Sequence, residues 1–328
     1  MLETMKTLKR ALSFGKAREI PLIDEALWRR ATENYVFVAR LNPEENRRLR
    51  YIASEFLSGK NITGAQGIEI TDLMRVQIAA QACILVLELG VQNYEGWREI
   101  IVYPSQFVPE REVVDEAGVV HTTRDPLAGE AWLGGPVVLS YEDVARSSDP
   151  DFAADGYNVV IHEFAHKLDM LNGAPNGFPP LHRGMDRDTW KGAFMQAYLE
   201  FCKASDRAEK RAPYDRGAAL DALPLDPYAS ESPAEFFAVI SEAFFEIPEV
   251  VAEAFPDVFE QLKLFQPIYL LAEPGTNNYL VVEHSGAVDG MFSAVATVPS
   301  ERLGVAVLTN SETSFYELAV ETVRGARL

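Results

Sequence analysis

Two histidines separated by three residues constrain this chain more than any other feature of its sequence. His162 and His166 are the first and last residues of the segment HEFAH. On a helix, residues four apart lie on one face, one turn apart. Two imidazoles in that arrangement can bind one zinc ion, and Glu163, between them, can act as a general base on a water molecule at the metal. The pattern predicts a zinc-dependent hydrolase, most typically a peptidase.

The residues around the two histidines predict a buried helix. Three apolar residues, VVI, directly precede His162, and cap residues place the helix between Asp155-Gly156 and Asn172-Gly173. A helix beneath an active-site cleft is expected to be buried in this way. The alternative is a packed helix whose histidines never bind metal, because HExxH also arises by chance.

A catalytic zinc ion needs a third protein ligand and an open position for water. Glu235 is a candidate, because Pro233 suits the first turn of a helix and places Glu235 in that turn, beside apolar residues. A carboxylate is costly to bury there unless a cation compensates its charge. The alternative is an ordinary first-turn glutamate favoured by the helix dipole. Glu242, two turns further along the same face, either competes for the ligand role or supports a ligand from behind.

Composition limits the function classes. The chain has 328 residues, 48% hydrophobic and 24% charged, as expected of a globular protein. Its formal net charge of −19 argues against a nucleic-acid partner, since phosphate binding needs a basic surface. Cys83 and Cys202 form no disulfide framework, no signal peptide is evident, and the apolar run at 76–91 is too short to span a bilayer. We therefore expect a cytoplasmic protein without a membrane segment.

Hydrophobic periodicity predicts an α+β fold. Helical spacing comes first, with Pro43 opening a helix after Asn42, and strand-like runs follow. Helices are predicted at 24–60, 70–91, 155–172, 189–204 and 233–245, and strands at 99–103, 118–122 and 135–140. The strand at 135–140, just before the histidine helix, is expected to form a sheet edge that pairs with an extended peptide.

Five segments carry a resemblance to a known family. They are VIHEFAHKLD at 160–169, YASESPAEFFAVISE at 228–242, LVLELG at 85–90, IVYP at 101–104 and GPVVL at 135–139. Together they resemble the Mlc titration factor A family, the glucose-regulated metallopeptidases, over about residues 20–270. The resemblance implies a zincin-like (gluzincin) domain with a helical N-terminal part, a small mixed sheet and an active-site HExxH helix.

The same resemblance implies the chemistry of the site. It implies one zinc ion per chain, bound by His162, His166 and Glu235, with Glu163 as general base and Tyr228 as stabiliser of the oxyanion. The activity implied is that of an aminopeptidase-type zinc peptidase acting on a peptide or protein substrate. The family is named for sequestering a sugar-responsive transcriptional repressor, so such a partner is also implied. The alternative function is a non-catalytic regulatory protein that binds and sequesters the repressor.

The spacing from Tyr228 to Glu235 is also similar to the catalytic domain of anthrax lethal factor. That domain has an acidic residue four positions after its ligand glutamate, whereas this chain has Val239 there. The supporting role is therefore expected from Asp169 or Glu242. For Asp169 the role would be to accept a ring N–H from a ligand histidine, and the alternative is an aspartate on the helix surface.

Residues 273–328 follow a different pattern. The segments EHSGAVDGMFS at 283–293 and GVAVLTN at 304–310 resemble the C-terminal end of serine beta-lactamase-like esterases. Strands are predicted at 279–283, 292–298 and 303–308, with a final helix from Ser314. The Ser-x-x-Lys nucleophile of those enzymes is matched only by SFGK at 13–16, in a polar tail, so an inert appendage is expected. The predicted organisation is a tail at 1–20, a metallopeptidase domain at 21–270 and this C-terminal fragment.

Overall fold

The computed structural model describes most of the chain from residue 20 onward. Backbone and side chains are described for 20–108, 126–149 and 155–266, and the backbone alone for 111–114, 120–123, 273–274, 280–288, 291–298 and 303–309. The SFGK segment at 13–16 and the helix predicted from Ser314 lie outside these residues. Within the described part, no helix has the length and apolar character needed to cross a membrane.

Helices form the first part of the described chain. They are α1 at Glu25–Thr32, α2 at Val36–Arg40, α3 at Pro43–Gly59 and α4 at Asp72–Ile84. The predicted start of α3 is confirmed, because the Asn42 side chain accepts from the N–H of Glu45 and the Glu45 carboxylate accepts from the N–H of Asn42. The helix predicted at 70–91 ends earlier, at Ile84. The residues after Ile84 remain buried through Leu87, so the apolar run does not show where α4 ends.

A small mixed sheet lies next in the chain. Its members and the neighbouring hairpin are β1 at Asn61–Gly64, β2 at Glu99–Tyr103, β3 at Arg111–Val114, β4 at Val120–Thr123, β5 at Gly129–Ala131 and β6 at Val137–Ser140. In the described residues the sheet order is β1-β2-β6-β5, and β3 pairs with β4. Strands β1, β2 and β6 are parallel, and β5 is antiparallel to β6. The predicted α+β class with a small mixed sheet is confirmed.

The predicted sheet edge at 135–140 is wrong. Strand β6 lies between β2 and β5, and its four residues are buried. Its run of apolar residues is typical of an interior strand that is covered on both faces. Within the described part of the sheet, the edge on this side is β5, whose three residues are too few to show an alternating pattern.

Seven further helices of the described chain follow the sheet. They are α5 at Tyr141–Arg146, α6 at Val159–Asp169, α7 at Arg187–Glu209, α8 at Pro213–Asp221, α9 at Pro233–Glu246, α10 at Pro248–Ala254 and α11 at Pro256–Phe265. Helix α6 carries both histidines and packs against α9, β5 and β6. It begins later than predicted, because Gly156 has a positive φ of 77° and Asn158 caps the helix by accepting from the N–H of Ile161 at 3.0 Å.

Aromatic packing fixes α6 in the core. The Phe164 ring, on the helix between the two histidines, is fully buried. It contacts the rings of Phe56, Tyr94 and Trp97 with centroid distances of 5.1–5.7 Å. Aromatic pairs at this spacing add to the free energy gained by burial. The apolar side of α6 is thereby held while the histidines face the opposite way.

Lys167 connects α6 to the turn between β5 and β6. Its Nζ donates to the carbonyl oxygens of Trp132 at 2.6 Å and Gly135 at 2.8 Å, and it lies 4.5 Å from the ring centroid of Trp97. Burial lowers the pKa of Lys167 to about 8. One side chain next to His166 therefore sets the position of the edge strand relative to the histidine helix.

The strands predicted in the C-terminal segment are confirmed. They are β7 at Glu273–Pro274, β8 at Leu280–Val288, β9 at Met291–Val298 and β10 at Leu303–Thr309. All neighbouring pairs are antiparallel, in the order β10-β9-β8-β7. Strand β8 is longer than predicted and includes His284-Ser285-Gly286.

We predict that Lys167→Met lowers the free energy of unfolding by about 2 kcal/mol, because two carbonyl groups lose a charged donor. The matched control is Lys210→Met. Lys210 is exposed and pairs with Asp206 on α7, so its replacement should cost less than about 0.5 kcal/mol. Urea unfolding of the three proteins measures both values. Equal costs for the two variants would contradict the role given to Lys167.

Candidate metal centre

Three potential ligand atoms converge on one face of α6. The Nε2 atoms of His162 and His166 are 3.2 Å apart. The Oε2 atom of Glu235 lies 3.1 Å from the first and 3.2 Å from the second. Ligands of a tetrahedral zinc ion at 2.0–2.2 Å would stand about 3.3 Å from one another. The triangle therefore has the size that one small metal ion requires, and the three residues meet as a potential metal-binding group.

Local sequence explains how Glu235 reaches the histidines. Ser232 caps α9 and accepts from the backbone N–H of Glu235 at 3.2 Å, and Pro233 occupies the first helical position. The prediction of a first-turn glutamate is therefore confirmed. Because α9 packs against α6, this turn lies beside the histidine face. The sequence had left open whether the carboxylate simply complements the helix dipole, and the structure brings it to the histidines instead.

These three atoms are better suited to binding a metal cation together than to hydrogen bonding with one another. Two ring nitrogens and one carboxylate oxygen face each other within hydrogen-bond distance, and at least one nitrogen lone pair has no proton to accept when both rings are neutral. Burial raises the pKa of Glu235, but the two histidine rings beside its carboxylate outweigh this effect and hold that pKa well below its usual range. The three side chains keep 10–21% exposure, so the centre is open to the cleft on one side.

Glu163 lies buried beside this centre. Only 5% of it is exposed, and burial raises its pKa to about 7, against the opposing effect of the two histidines. Gly129 on β5 lies directly over it. A Cβ atom at Gly129 would stand 2.5 Å from Glu163 Oε1 and 2.6 Å from its Cγ. The absence of a side chain at Gly129 therefore leaves room for the Glu163 carboxylate.

Glu242 binds the opposite edge of the His162 ring. Its Oε1 lies 2.7 Å from His162 Nδ1, whereas the ligand triangle involves Nε2. Its Oε2 accepts from the backbone N–H of Asn158 at 2.5 Å. Of the two roles considered from the sequence, the structure matches the supporting one.

Asp169 has neither of the predicted roles. It is fully buried, and its carboxylate accepts from the backbone N–H groups of Asn176 and Gly177 at 2.6 Å and of Phe178 at 2.8 Å. Burial raises its pKa despite these bonds. Asp169 therefore fixes the loop after α6. The His166 Nδ1 atom, for its part, is buried without a hydrogen-bond partner in the described structure.

Tyr228 borders the cleft. It lies in the short 3-10 helix Pro227–Ser230, is half exposed, and its ring centroid is 6.1 Å from that of His162. The cleft has a volume of about 510 Å³, and its lining includes Gly129, His162, Glu163 and Tyr228. The structure thus brings Tyr228 to the same cavity as His162 and Glu163.

Sequence reasoning missed two contributors to this cleft. Tyr157 lines it, and burial together with the nearby charges of Asp143 and Glu242 raises the pKa of its phenol. Asn158 joins the start of α6 to α9 through Glu242 and through its Nδ2, which donates to Glu246 Oε1 at 2.7 Å. A polar residue just before an apolar helix is a recognisable cap signal, so Asn158 was open to prediction, whereas nothing local marks Tyr157.

Comparison with known proteins identifies the family of this chain. The family model described as glucose-regulated metallo-peptidase M90 matches residues 7–266. The chain therefore belongs to this metallopeptidase family, as its motifs predicted, and membership implies a bound metal ion.

Curated relatives in this family are named Mlc titration factor A. The protein of Yersinia enterocolitica is 37% identical over 241 residues, covering 73% of this chain and 84% of the relative. The protein of Klebsiella pneumoniae is 36% identical over 241 residues, covering 73% and 86%. The protein of Escherichia fergusonii is 36% identical over 250 residues, covering 76% and 89%.

Glu246 is a second buried acid behind the centre. It is 2% exposed, and its Oε2 has no hydrogen-bond partner in the described residues. Burial raises its pKa from 4.5 to about 8, with Asn158 and Arg40 acting in the opposite direction. The folded protein therefore keeps a proton that the unfolded chain loses above pH 4.5. Stability due to this group falls as pH rises from about 4.5 to about 8, by at most about 1.4 kcal/mol per pH unit.

We predict that Glu246→Gln raises the melting temperature, because glutamine resembles the protonated acid. The gain over the parent protein should increase between about pH 5 and pH 8 and then level off. Thermal unfolding across this range measures it. The control is Glu253→Gln, at an exposed position on α10, where the difference from the parent should stay small at every pH. A gain at Glu246 that does not vary with pH would contradict the raised pKa.

Proposed function

We propose that this protein is a zinc-dependent peptidase whose metal is bound by His162, His166 and Glu235. The observation that carries the proposal is the triangle of two ring nitrogens and one carboxylate oxygen, 3.1–3.2 Å on each side. Two histidines and one carboxylate are a common catalytic zinc set, with the fourth position left for water or substrate. Family membership supports the peptidase class, and the gluzincin form of the fold is part of the proposal.

The protein's own residues supply the proton transfers. Zinc bound at this centre would polarise the scissile carbonyl and make water a stronger nucleophile near neutral pH. Glu163 then accepts a proton from the attacking water and transfers it to the leaving amine. Its pKa of about 7 without metal is near the operating pH, and a bound cation would lower that pKa and favour the base form.

Strand β5 provides a surface for an extended substrate. Trp132 donates to the carbonyl of Pro136, and Ser140 to that of Ala128, across the β5–β6 pair. Hydrogen-bonding direction alternates along an antiparallel pair, so the N–H and C=O groups of Gly129 and Ala131 point away from β6. We propose that substrate backbone pairs with these groups, beside Glu163, by strand addition.

Tyr228 is proposed as the residue that stabilises the oxyanion. Its ring lies next to that of His162 at the border of the cleft, and a phenol can donate to the negative charge that develops on the substrate oxygen. Tyr228→Phe should then lower kcat roughly 10- to 100-fold with little change in KM. An unchanged kcat would remove Tyr228 from the mechanism.

The charge of the cleft favours an aminopeptidase. Its lining includes the acidic residues Asp143, Asp155, Glu163, Asp226 and Glu242, and the basic residue Arg146, which pairs with Asp143. A negative cleft attracts a positively charged group, and every unblocked peptide has one at its N-terminus. Acetylation of a peptide substrate should therefore abolish most cleavage. Equal cleavage of the free and acetylated peptides would indicate an endopeptidase.

A transcriptional repressor is proposed as a second partner. The relatives are named Mlc titration factor A, and a titration factor acts by binding its target. The alternative to catalysis is a regulatory protein that only binds and sequesters such a repressor. Binding to a purified Mlc-type repressor should survive Glu163→Gln, since it does not require proton transfer, and absence of binding in the parent protein would exclude this partner.

We further propose a cytoplasmic enzyme with an appended C-terminal segment. Both cysteines are free thiols in the structure, as is typical of a reducing compartment. The family match ends at residue 266, which supports separating 273–328 from a metallopeptidase domain at 21–270. Limited proteolysis should leave a resistant core that ends near residue 270. Joint resistance of both parts would contradict this division.

We predict that Glu163→Gln keeps about one zinc ion per chain and loses peptide hydrolysis by roughly 10²–10⁴-fold, because the amide cannot accept the proton. His166→Ala should lose the metal, since two ligands remain. Elemental analysis and a peptide cleavage assay measure the two properties separately. A Glu163→Gln protein with parental activity would refute the general-base role.

We predict that Gly129→Ala lowers kcat about 10- to 100-fold without loss of metal, because the new Cβ displaces the Glu163 side chain. The matched control is Gly192→Ala on α7, where a Cβ meets nothing within 4 Å. Steady-state kinetics and zinc content are measured for both variants. Parental kcat in Gly129→Ala would show that Glu163 does not need its observed position.

A further inference from the structure

We propose that Glu242 is the positioning residue of the metal centre. Its carboxylate holds the His162 ring in the tautomer and orientation that direct Nε2 to the metal. The proposal rests on the zinc site proposed above and adds to it. The contact that carries it is the 2.7 Å distance between Glu242 Oε1 and His162 Nδ1. A carboxylate acceptor at Nδ1 requires the proton on that nitrogen, which leaves the lone pair on Nε2.

One helix holds both edges of the His162 ring. Glu235 and Glu242 are seven residues apart on α9, two turns along one face. Glu235 Oε2 lies 3.1 Å from Nε2, and Glu242 Oε1 lies 2.7 Å from Nδ1. The ring therefore lies between two carboxylates of the same helix, and a change of ring angle would lengthen at least one contact.

The second oxygen of Glu242 fixes the helix that carries the ring. Oε2 accepts from the backbone N–H of Asn158 at 2.5 Å, at the cap of α6. Glu242 is 3% exposed, so both oxygens are largely shielded from water. A single side chain thus sets both the ring of His162 and the start of α6 against α9.

The two histidines differ in whether Nδ1 has a hydrogen-bond partner. His166 Nδ1 is buried and has no hydrogen-bond partner within the described residues, so no equivalent carboxylate orients that ring. The same geometry argues against Glu242 as a metal ligand, since its carboxylate meets the ring edge opposite Nε2. Of the two rings, only that of His162 has a carboxylate at Nδ1 within the described residues.

Metal affinity and the His162 proton test the proposal. In Glu242→Gln, affinities for Zn²⁺ and Co²⁺, measured by chelator competition, should fall about 10- to 100-fold. The visible spectrum of the Co²⁺ form should change, and the strongly hydrogen-bonded Nδ1–H proton signal of the Zn²⁺ form should move upfield. The matched control is Glu246→Gln, one turn along on α9, which touches Asn158 and not His162. Its affinities should stay within about twofold of the parent.

Other results would overturn the proposal or refute the zinc site on which it rests. Parental affinity and spectrum in a folded Glu242→Gln protein would overturn the proposal. Complete metal loss in Glu242→Gln, with metal retained in Glu235→Ala, would overturn it by making Glu242 a ligand. If Glu242→Gln does not fold, the Nδ1–H signal of the parent decides, since its absence would overturn the proposal. Failure of the parent protein to bind either metal would refute the zinc site itself.

Discussion

The packing of α6 against α9 is the constraint on which the rest of the site depends. Helix α6 brings His162 and His166 to one face, but only α9 supplies Glu235 to complete the triangle. Asn158, at the start of α6, also bonds to Glu242 and Glu246 on α9, and these bonds fix the position of one helix along the other. A shift of α9 by one residue would rotate these carboxylates by about 100° and remove them from the histidines.

Burial of charge gives this region its chemistry and also lowers its stability. Glu163 and Glu246 are largely buried, and their pKa values are raised to about 7 and about 8. Desolvated charges of this kind seldom increase stability, so their presence around one cleft is better explained by function than by folding. Natural active sites commonly carry such destabilising groups.

Local sequence patterns predicted the residues that depend on spacing along one helix. The i, i+4 histidines and the first-turn Glu235 are of this kind, and the structure brings them together. Asp169 shows what spacing along a helix cannot predict. Its place one turn after His166 suggested a histidine partner, but its carboxylate binds the loop that follows α6. Which of several neighbours a buried carboxylate binds depends on tertiary packing, and spacing cannot determine it.

The edge strand shows a second limit. Strand β5 has three residues, GEA, and a strand so short has no period that hydrophobicity can reveal. The position of β6 just before the histidine helix favours it as the edge, although its apolar run is what burial on both faces indicates. The family resemblance predicted the class of protein and the α+β fold, and coordinates were needed to locate Gly129 above Glu163.

We propose that α6 and α9 together create one zinc site. Anomalous diffraction at the zinc absorption edge, from crystals of the zinc-loaded protein, tests this directly. We expect one strong peak per chain at about 2.0–2.2 Å from the Nε2 atoms of His162 and His166 and from a carboxylate oxygen of Glu235. A peak at other residues, or no peak at these three in fully loaded crystals, would contradict it.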